Sequence, residues 1–170
     1  MDVVIACGLQ KAYLDKKGIK YLGEEVEVVK IRLLEYFKHL NKKNTVVFFT
    51  REIHQTNDTF YINNKSHSVV GTKDIEIPEV FKPYVKFIIN TSRPNAFYKT
   101  PLESELNKIK PDKVFLVGFE THTNILFTAE ELRNRNYSVV VFEPLLMSED
   151  EYMHSIGINI LSNVLSVDFD

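Results

Sequence analysis

A strand, a glycine and a helix follow one another directly in residues 113–132, KVFLVGFETHTNILFTAEEL, and this unit constrains the fold most strongly. Residues 114–117 form a continuous apolar run, which is typical of a strand buried on both faces of a parallel sheet. Gly118 predicts a tight turn, and a helix is expected to begin near Thr121. The free N–H groups and positive dipole of that helix start would lie at the carboxyl edge of a sheet, where open α/β sheets bind ligands. We therefore expect any active site to lie on this turn.

Strand patterns alternate with helical patterns along the rest of the chain. This alternation predicts an α/β fold with three layers (α/β/α), in which a six-stranded, mostly parallel sheet lies between helices, as a single domain over residues 1–170. Residues 9–22 are predicted to be a loop. Capping boxes are predicted at Thr100 with Glu103 and at Ser148 with Glu151. The other predicted strands are residues 3–7, 45–50, 84–90, 137–142 and 164–167, and the other predicted helices are 24–40, one from Thr100, 121–135 and one from Ser148 to about 161.

Charge, hydropathy and cysteine usage exclude several classes of protein. The net charge of −2 supplies no polycation for nucleic acid. No apolar run approaches the roughly 20 residues of a membrane span. Cys7 is the single cysteine, so an internal disulfide is excluded and a reducing, cytoplasmic location is expected.

Several short motifs occur in an order and at a spacing that are specific when taken together. The longest is GFETHTNILFTA at residues 118–129. The others are TREIH at 50–54, GT at 71–72, IP at 77–78, AFYKTPL at 96–102, and Ser148 with His154. Together they resemble the isochorismatase-like cysteine hydrolase superfamily of isochorismatases, nicotinamidases and N-carbamoylsarcosine amidases, in which the longest motif reads G-V-E-T-H-V-C-V-x-x-T-A. The resemblance covers nearly the whole chain and implies the fold that the strand pattern predicts independently.

The resemblance also implies a catalytic cysteine, an aspartate base and a supporting lysine, but this chain differs at all three positions. Asn124 stands at the cysteine, and Gly8 stands at the aspartate when Gln10 is aligned with the family's D-x-Q. Thr91 stands at the lysine, or Asn90 does if the loop shifts by one residue. A side-chain amide is no nucleophile comparable to a thiolate. Some relatives cleave a vinyl ether without the cysteine by using the aspartate as an acid, and Gly8 removes that route too.

Cys7 lies beside Gly8, but side chains alternate faces along a strand, so we expect the thiol to point away from the site. We interpret Cys7 as a small core residue. The resemblance implies a cis peptide between Phe119 and Glu120 in the turn that forms the oxyanion hole of relatives. The residues expected to form a pocket at this turn are Phe119, Glu120, Thr123, Asn124 and Phe97.

Glu52, His54 and His67 match positions at which nicotinamidases carry an Asp-x-His pair and a further histidine before the G-T motif. Two histidines and a carboxylate can bind Zn²⁺ or Fe²⁺ and leave positions open for water. The alternative is structural, because relatives without metal also carry this stretch and use the histidine to hold the loop by hydrogen bonds. No other cofactor is expected.

Two functions follow from these observations. The first is a catalytically degenerate member of the family that acts by binding or assembly, as a homo-oligomer (a dimer or tetramer) or with a protein partner or small-molecule ligand. Residues 55–64 and 84–98 are the candidate contact segments. The second is a metal-dependent hydrolase of a small amide or related substrate that uses Glu52, His54 and His67. No membrane or nucleic-acid partner is expected.

Overall fold

The computed structural model describes residues 1–61 and 66–170, and these residues contain six strands and five α-helices. Residues 62–65, at the end of the contact segment 55–64, lie outside the described residues. Short 3₁₀ turns lie at Lys73–Ile75 and Glu79–Tyr84, and one turn of π-helix lies at Thr121–Ile125. The strands and α-helices are β1 (Asp2–Cys7), α1 (Lys11–Leu14), α2 (Val26–His39), β2 (Thr45–Glu52), β3 (Phe87–Thr91), α3 (Leu102–Ile109), β4 (Val114–Phe119), α4 (Leu126–Asn134), β5 (Val139–Met147), α5 (Glu151–Asn163) and β6 (Asp168–Phe169).

The six strands form one sheet in the order β3-β2-β1-β4-β5-β6, and every pair within it is parallel. The buried side chains of β1 alternate between two apolar clusters. Val4 and Ala6 pack with α1 and α2, while Val3 and Ile5 pack on the other face with α3, α4 and α5. The predicted α/β fold is therefore confirmed, and the carboxyl ends of β1, β2 and β4 lie side by side.

The ends of the chain's last elements differ from the sequence prediction. The sixth strand is at Asp168–Phe169, whereas residues 164–167 were expected to form it. The reason is that α5 continues to Asn163, and the N–H groups of Val164 and Leu165 both donate to the carbonyl of Ile160. The expectation of a loop over residues 9–22 is also wrong in part, because Lys11–Leu14 forms α1 and buries Tyr13.

Neither predicted capping box forms. The hydroxyl of Thr100 donates to the carbonyl of Ala96, and α3 begins only at Leu102. α5 is capped by Asp150, whose carboxylate accepts from the N–H of Met153 at 2.8 Å. Ser148 is turned away from that helix, because its hydroxyl bonds to the turn that follows β4.

Within residues 1–61 and 66–170, no helix combines the length and the apolar character that crossing a bilayer requires.

Candidate metal and ligand site

A cleft of about 310 Å³ opens at the carboxyl ends of the central strands. It has a polar floor, a charged side wall and an aromatic mouth. The floor consists of Tyr13, Glu52, His67 and Asn124, the side wall of Lys20, Glu120, His122 and Thr123, and the mouth of Phe60, Tyr61, Pro94 and Phe127. Phe60 and Phe127 are about half exposed, at 51% and 47%, so the mouth presents apolar surface to solvent.

Glu52, the last residue of β2, is the centre of the floor. Its Oε1 accepts hydrogen bonds from the hydroxyl of Tyr13 at 2.7 Å and from the side-chain amide of Asn124. Its Oε2 lies 3.3 Å from Nε2 of His54 and 2.8 Å from Nε2 of His67. Burial alone would raise the pKa of Glu52, but the hydrogen bonds from His54, His67 and Tyr13 together hold it well below its usual range. The carboxylate is therefore ionised at neutral pH.

Gln10 fixes the backbone around this carboxylate. Its side chain is fully buried, and its Oε1 accepts from the N–H of Glu52 at 2.8 Å. Its amide nitrogen donates to the hydroxyl of Ser68 at 2.8 Å and to the carbonyl of Glu52 at 3.2 Å. The segment that carries His67 is also bridged to His54, because the N–H of His54 donates to the carbonyl of Ser68 at 2.9 Å. Backbone and side-chain bonds together thus hold the two histidines on either side of Glu52.

The predicted ligand set Glu52, His54 and His67 comes together in the structure. One ligand atom from each residue lies within 4.8 Å of the others, and all three side chains are buried. Nδ1 of His54 is buried with no hydrogen-bond partner among the described residues. Two imidazoles and one carboxylate suit Zn²⁺ or Fe²⁺, and both Glu52 and His67 face the open cleft. The residues present therefore fit a divalent metal ion.

The three positions that the resemblance assigns to catalysis are placed very differently. Asn124 is buried in the cleft floor, where its amide donates to Glu52 and to the carbonyl of Phe119, the latter at 3.0 Å. Thr91 lies opposite Glu52 in the β2–β3 ladder, and its carbonyl accepts from the N–H of Ile53. Neither Gly8 nor Thr91 is part of the cleft lining.

Gly8 has a backbone conformation that disfavours any side chain. Its φ is +63°, and a Cβ built there would lie 2.6 Å from the carbonyl oxygen of Phe119. Its neighbour Cys7 is fully buried in the cluster that packs against α3, α4 and α5. Burial, with a smaller contribution from the charge of Glu52, raises the pKa of the Cys7 thiol to about 12. The thiol therefore lies in the core, as expected from strand alternation.

The turn after β4 supplies most of the pocket residues predicted for it. The Phe119–Glu120 peptide is cis, as the resemblance implies. Glu120, Thr123 and Asn124 line the cleft, whereas Phe119 is fully buried and offers only its carbonyl to Asn124. Phe97 lies outside the lining, because its ring packs beneath the guanidinium of Arg135 at 4.5 Å.

Ser148 fixes His122 in the side wall of the cleft. The Ser148 hydroxyl oxygen accepts from the N–H of Thr121 at 3.1 Å and lies 2.9 Å from Nδ1 of His122. These two contacts hold the imidazole of His122 in the wall of the cleft. In the same wall, Nζ of Lys20 lies 3.7 Å from Oε1 of Glu120 and 3.3 Å from Oε2 of Glu149.

Sequence reasoning did not identify Tyr13 or Lys20 as site residues. Both lie in residues 9–22, which lack the helical periodicity that would have suggested order. The apolar run of Ala12, Tyr13 and Leu14, two residues after Gln10, was the available signal, since all three are buried.

Comparison with known proteins identifies the family and agrees with the fold. The family model described as "Isochorismatase domain" matches residues 2–167. Among solved structures, a pyrazinamidase/nicotinamidase from Streptococcus mutans UA159 superposes with a TM-score of 0.87 at 21% identity, with 100% of both chains covered. An N-carbamoylsarcosine amidase from Thermoplasma acidophilum superposes with a TM-score of 0.86 at 16% identity, with 99% of this chain and 95% of that chain covered. A pyrazinamidase of Pyrococcus horikoshii in complex with zinc superposes with a TM-score of 0.83 at 15% identity, with 99% of this chain and 98% of that chain covered. Comparison with curated proteins gave no match.

Proposed function

Because the chain belongs to the isochorismatase family, we propose that it uses the family's cleft to bind a small polar ligand and does not hydrolyse one by the family's cysteine route. Glu52, His54 and His67 would hold a zinc or ferrous ion in the floor of this cleft. The observation that carries the proposal is the state of Asn124, whose amide stands at the nucleophile position and is bonded to Glu52 and Phe119.

Cys7 does not take over the role of the missing nucleophile. Cys7 is fully buried, and its pKa of about 12 leaves it as a neutral thiol at physiological pH. Gly8 offers no carboxylate and Thr91 no amine, and neither reaches the cleft. None of the three positions that the resemblance assigns to the nucleophile, the base and the supporting cation therefore supplies that group.

The cleft nevertheless keeps the features of a ligand site. Its volume of about 310 Å³ lies at the lower end of the range for small-molecule pockets. His122 would present an imidazole ring, Lys20 an ammonium donor, and the aromatic mouth an apolar surface. A small molecule with an acceptor group at one end and an apolar or aromatic body fits this combination.

The second candidate function is a metal-dependent hydrolase of a small amide or related compound. The observation that favours it is the convergence of three buried donor residues, two of which, Glu52 and His67, line the floor of an open cleft. A metal ion bound there would supply Lewis acidity. Glu52 would serve as a ligand and so could not also act as the base. Glu120 is the remaining carboxylate in the lining, and it lies 3.7 Å from Lys20.

Metal analysis and hydrolysis assays on the same purified protein separate the two candidates. We expect stoichiometric zinc or iron by elemental analysis and no turnover of nicotinamide or isochorismate. Turnover that the substitution His54→Ala abolishes would contradict the binding function and establish the hydrolase. Metal-free protein without turnover would exclude the hydrolase and the metal centre alike.

Assembly and location remain part of the proposal. We propose that the protein is a homo-oligomer, a dimer or tetramer, in line with the family resemblance. We also propose a cytoplasmic location, in line with a free, buried cysteine.

A further inference from the structure

We infer that Asn124 and Tyr13 form a donor pair that positions Glu52 as a metal ligand. The residue at the family's nucleophile position would then serve the metal centre and not a reaction of its own. This inference rests on the metal centre of the proposed function.

The hydrogen bonds to Glu52 divide cleanly between its two oxygens. Oε1 receives the Tyr13 hydroxyl at 2.7 Å and the Asn124 amide, which fills the two acceptor sites of that oxygen. The described partners of Oε2 are imidazole nitrogens, those of His54 and His67. The donor pair therefore leaves the other oxygen, Oε2, available to bind a metal ion together with both histidines.

The orientation of Asn124 is itself fixed. Its amide nitrogen has two N–H groups, and the structure gives them two acceptors, Oε1 of Glu52 and the carbonyl of Phe119. A flipped amide would present an oxygen to both of these oxygens, so only the observed orientation is stable. Asn124 is 6% exposed, so little of its surface is accessible to bulk water.

The length of Glu52 explains why such support is needed. A glutamate has one more rotatable bond than the aspartate that the resemblance places here, and an unsupported carboxylate would sample several positions. Tyr13 approaches from α1 and Asn124 from the turn after β4, so two separate elements restrict the same oxygen. Hydrogen bonds of this kind to a ligating group typically change metal affinity 10–100-fold.

Zinc affinity tests the inference directly, without reference to turnover. The apparent dissociation constant for Zn²⁺ would be measured by competition with a chromophoric chelator for the wild type, Tyr13→Phe and Asn124→Ala. We expect each variant to bind zinc about 10–100-fold more weakly than the wild type. The visible spectrum of the Co²⁺-loaded protein should change as well, since it reports the ligand geometry.

Matched controls remove similar bonds elsewhere. Asn95→Ala removes an asparagine amide that donates to Glu131 at 2.8 Å, and Tyr137→Phe removes a hydroxyl that donates to Asn107. Both should bind zinc as the wild type does, even if their stability falls. His54→Ala should lose high-affinity zinc binding, which places the measured ion at this site.

Each outcome decides the inference. If the wild type binds zinc and both Tyr13→Phe and Asn124→Ala match its affinity, the inference is overturned and the metal centre stands. If the wild type binds no zinc, or if His54→Ala binds it equally well, the metal centre fails and the inference fails with it. If Asn124→Ala does not fold, Tyr13→Phe decides, because it deletes one oxygen and keeps the ring.

Discussion

The carboxylate of Glu52 depends on single atoms supplied by four other residues. Tyr13 and Asn124 donate to one oxygen, while His54 and His67 face the other. An asparagine can take part in such a cluster as a hydrogen-bond donor, which a thiolate cannot do. At the residue scale, the change from cysteine to asparagine that the resemblance implies therefore removes a nucleophilic sulfur and adds a hydrogen bond from the Asn124 amide to Glu52.

The Cys7 thiol should be unreactive while the protein is folded. Burial, the largest cause, raises its pKa from 9.0 to about 12, so almost no thiolate forms at pH 8. We expect an aromatic disulfide reagent to leave Cys7 unmodified at pH 8 and to react with one thiol per chain once urea unfolds the protein.

The same shift of the Cys7 pKa gives a pH dependence. The unfolded chain releases the thiol proton at its ordinary pKa of 9.0 and the folded chain at a pKa of about 12. The contribution of this group to the free energy of unfolding therefore falls as pH rises between those values. Rapid modification of the native protein at pH 8 would contradict the burial and the raised pKa.

At the scale of elements, Gln10 joins the end of β1 and the start of α1 to β2 and to the segment 68–74. Its side chain bonds to both backbone groups of Glu52, to Ser68 and to the carbonyl of Asp74. The substitution Gln10→Leu leaves these buried groups without partners, so we expect a loss of about 2–4 kcal/mol in the free energy of unfolding. Urea denaturation followed by circular dichroism measures this.

Gln55→Leu is the matched control for that prediction, because Gln55 is exposed and its side chain has no hydrogen bond among those described. Its unfolding free energy should stay within about 0.5 kcal/mol of the wild type. Equal losses in the two variants would mean that the Gln10 bonds contribute little.

The sequence predicted the elements that pack on long apolar runs and missed those that do not. Residues 114–117 and 45–50 are apolar and β-branched enough to identify β4 and β2. The four-residue helix α1 is too short for periodicity, and β6 has only two residues. Ser148 had the correct residue type for a helix cap, but tertiary bonds to Thr121 and His122 use its hydroxyl instead.

The candidate site was predictable to the same limited extent. Glu52, His54 and His67 were identified because they lie in motifs with a fixed order, and the structure places them together. Tyr13 reaches the site only through the packing of α1. Which residues bond to Glu52 is a property of the folded chain, and no local sequence pattern specifies it.

At the scale of the whole molecule, the sheet ends in β3, and no strand among the described residues pairs with its outer edge. Phe87 and Ile88 on that strand are 50% and 41% exposed, and exposed apolar edge strands favour association. We expect a dimer or tetramer by light scattering at micromolar concentration. A mass of 19.8 kDa that does not change with concentration would contradict this.

The backbone conformation at Gly8 limits which residues can replace this glycine. Asn124 and Thr91 differ from the residues of the family mechanism in their side chains, and reversion there would change side chains alone. At Gly8 the left-handed φ and the nearby Phe119 carbonyl leave no room for even a methyl group. A descendant of this protein would have to rebuild the main chain between β1 and α1 before an aspartate could return. If the proposed loss of the cysteine route is correct, this backbone would make that loss hard to reverse.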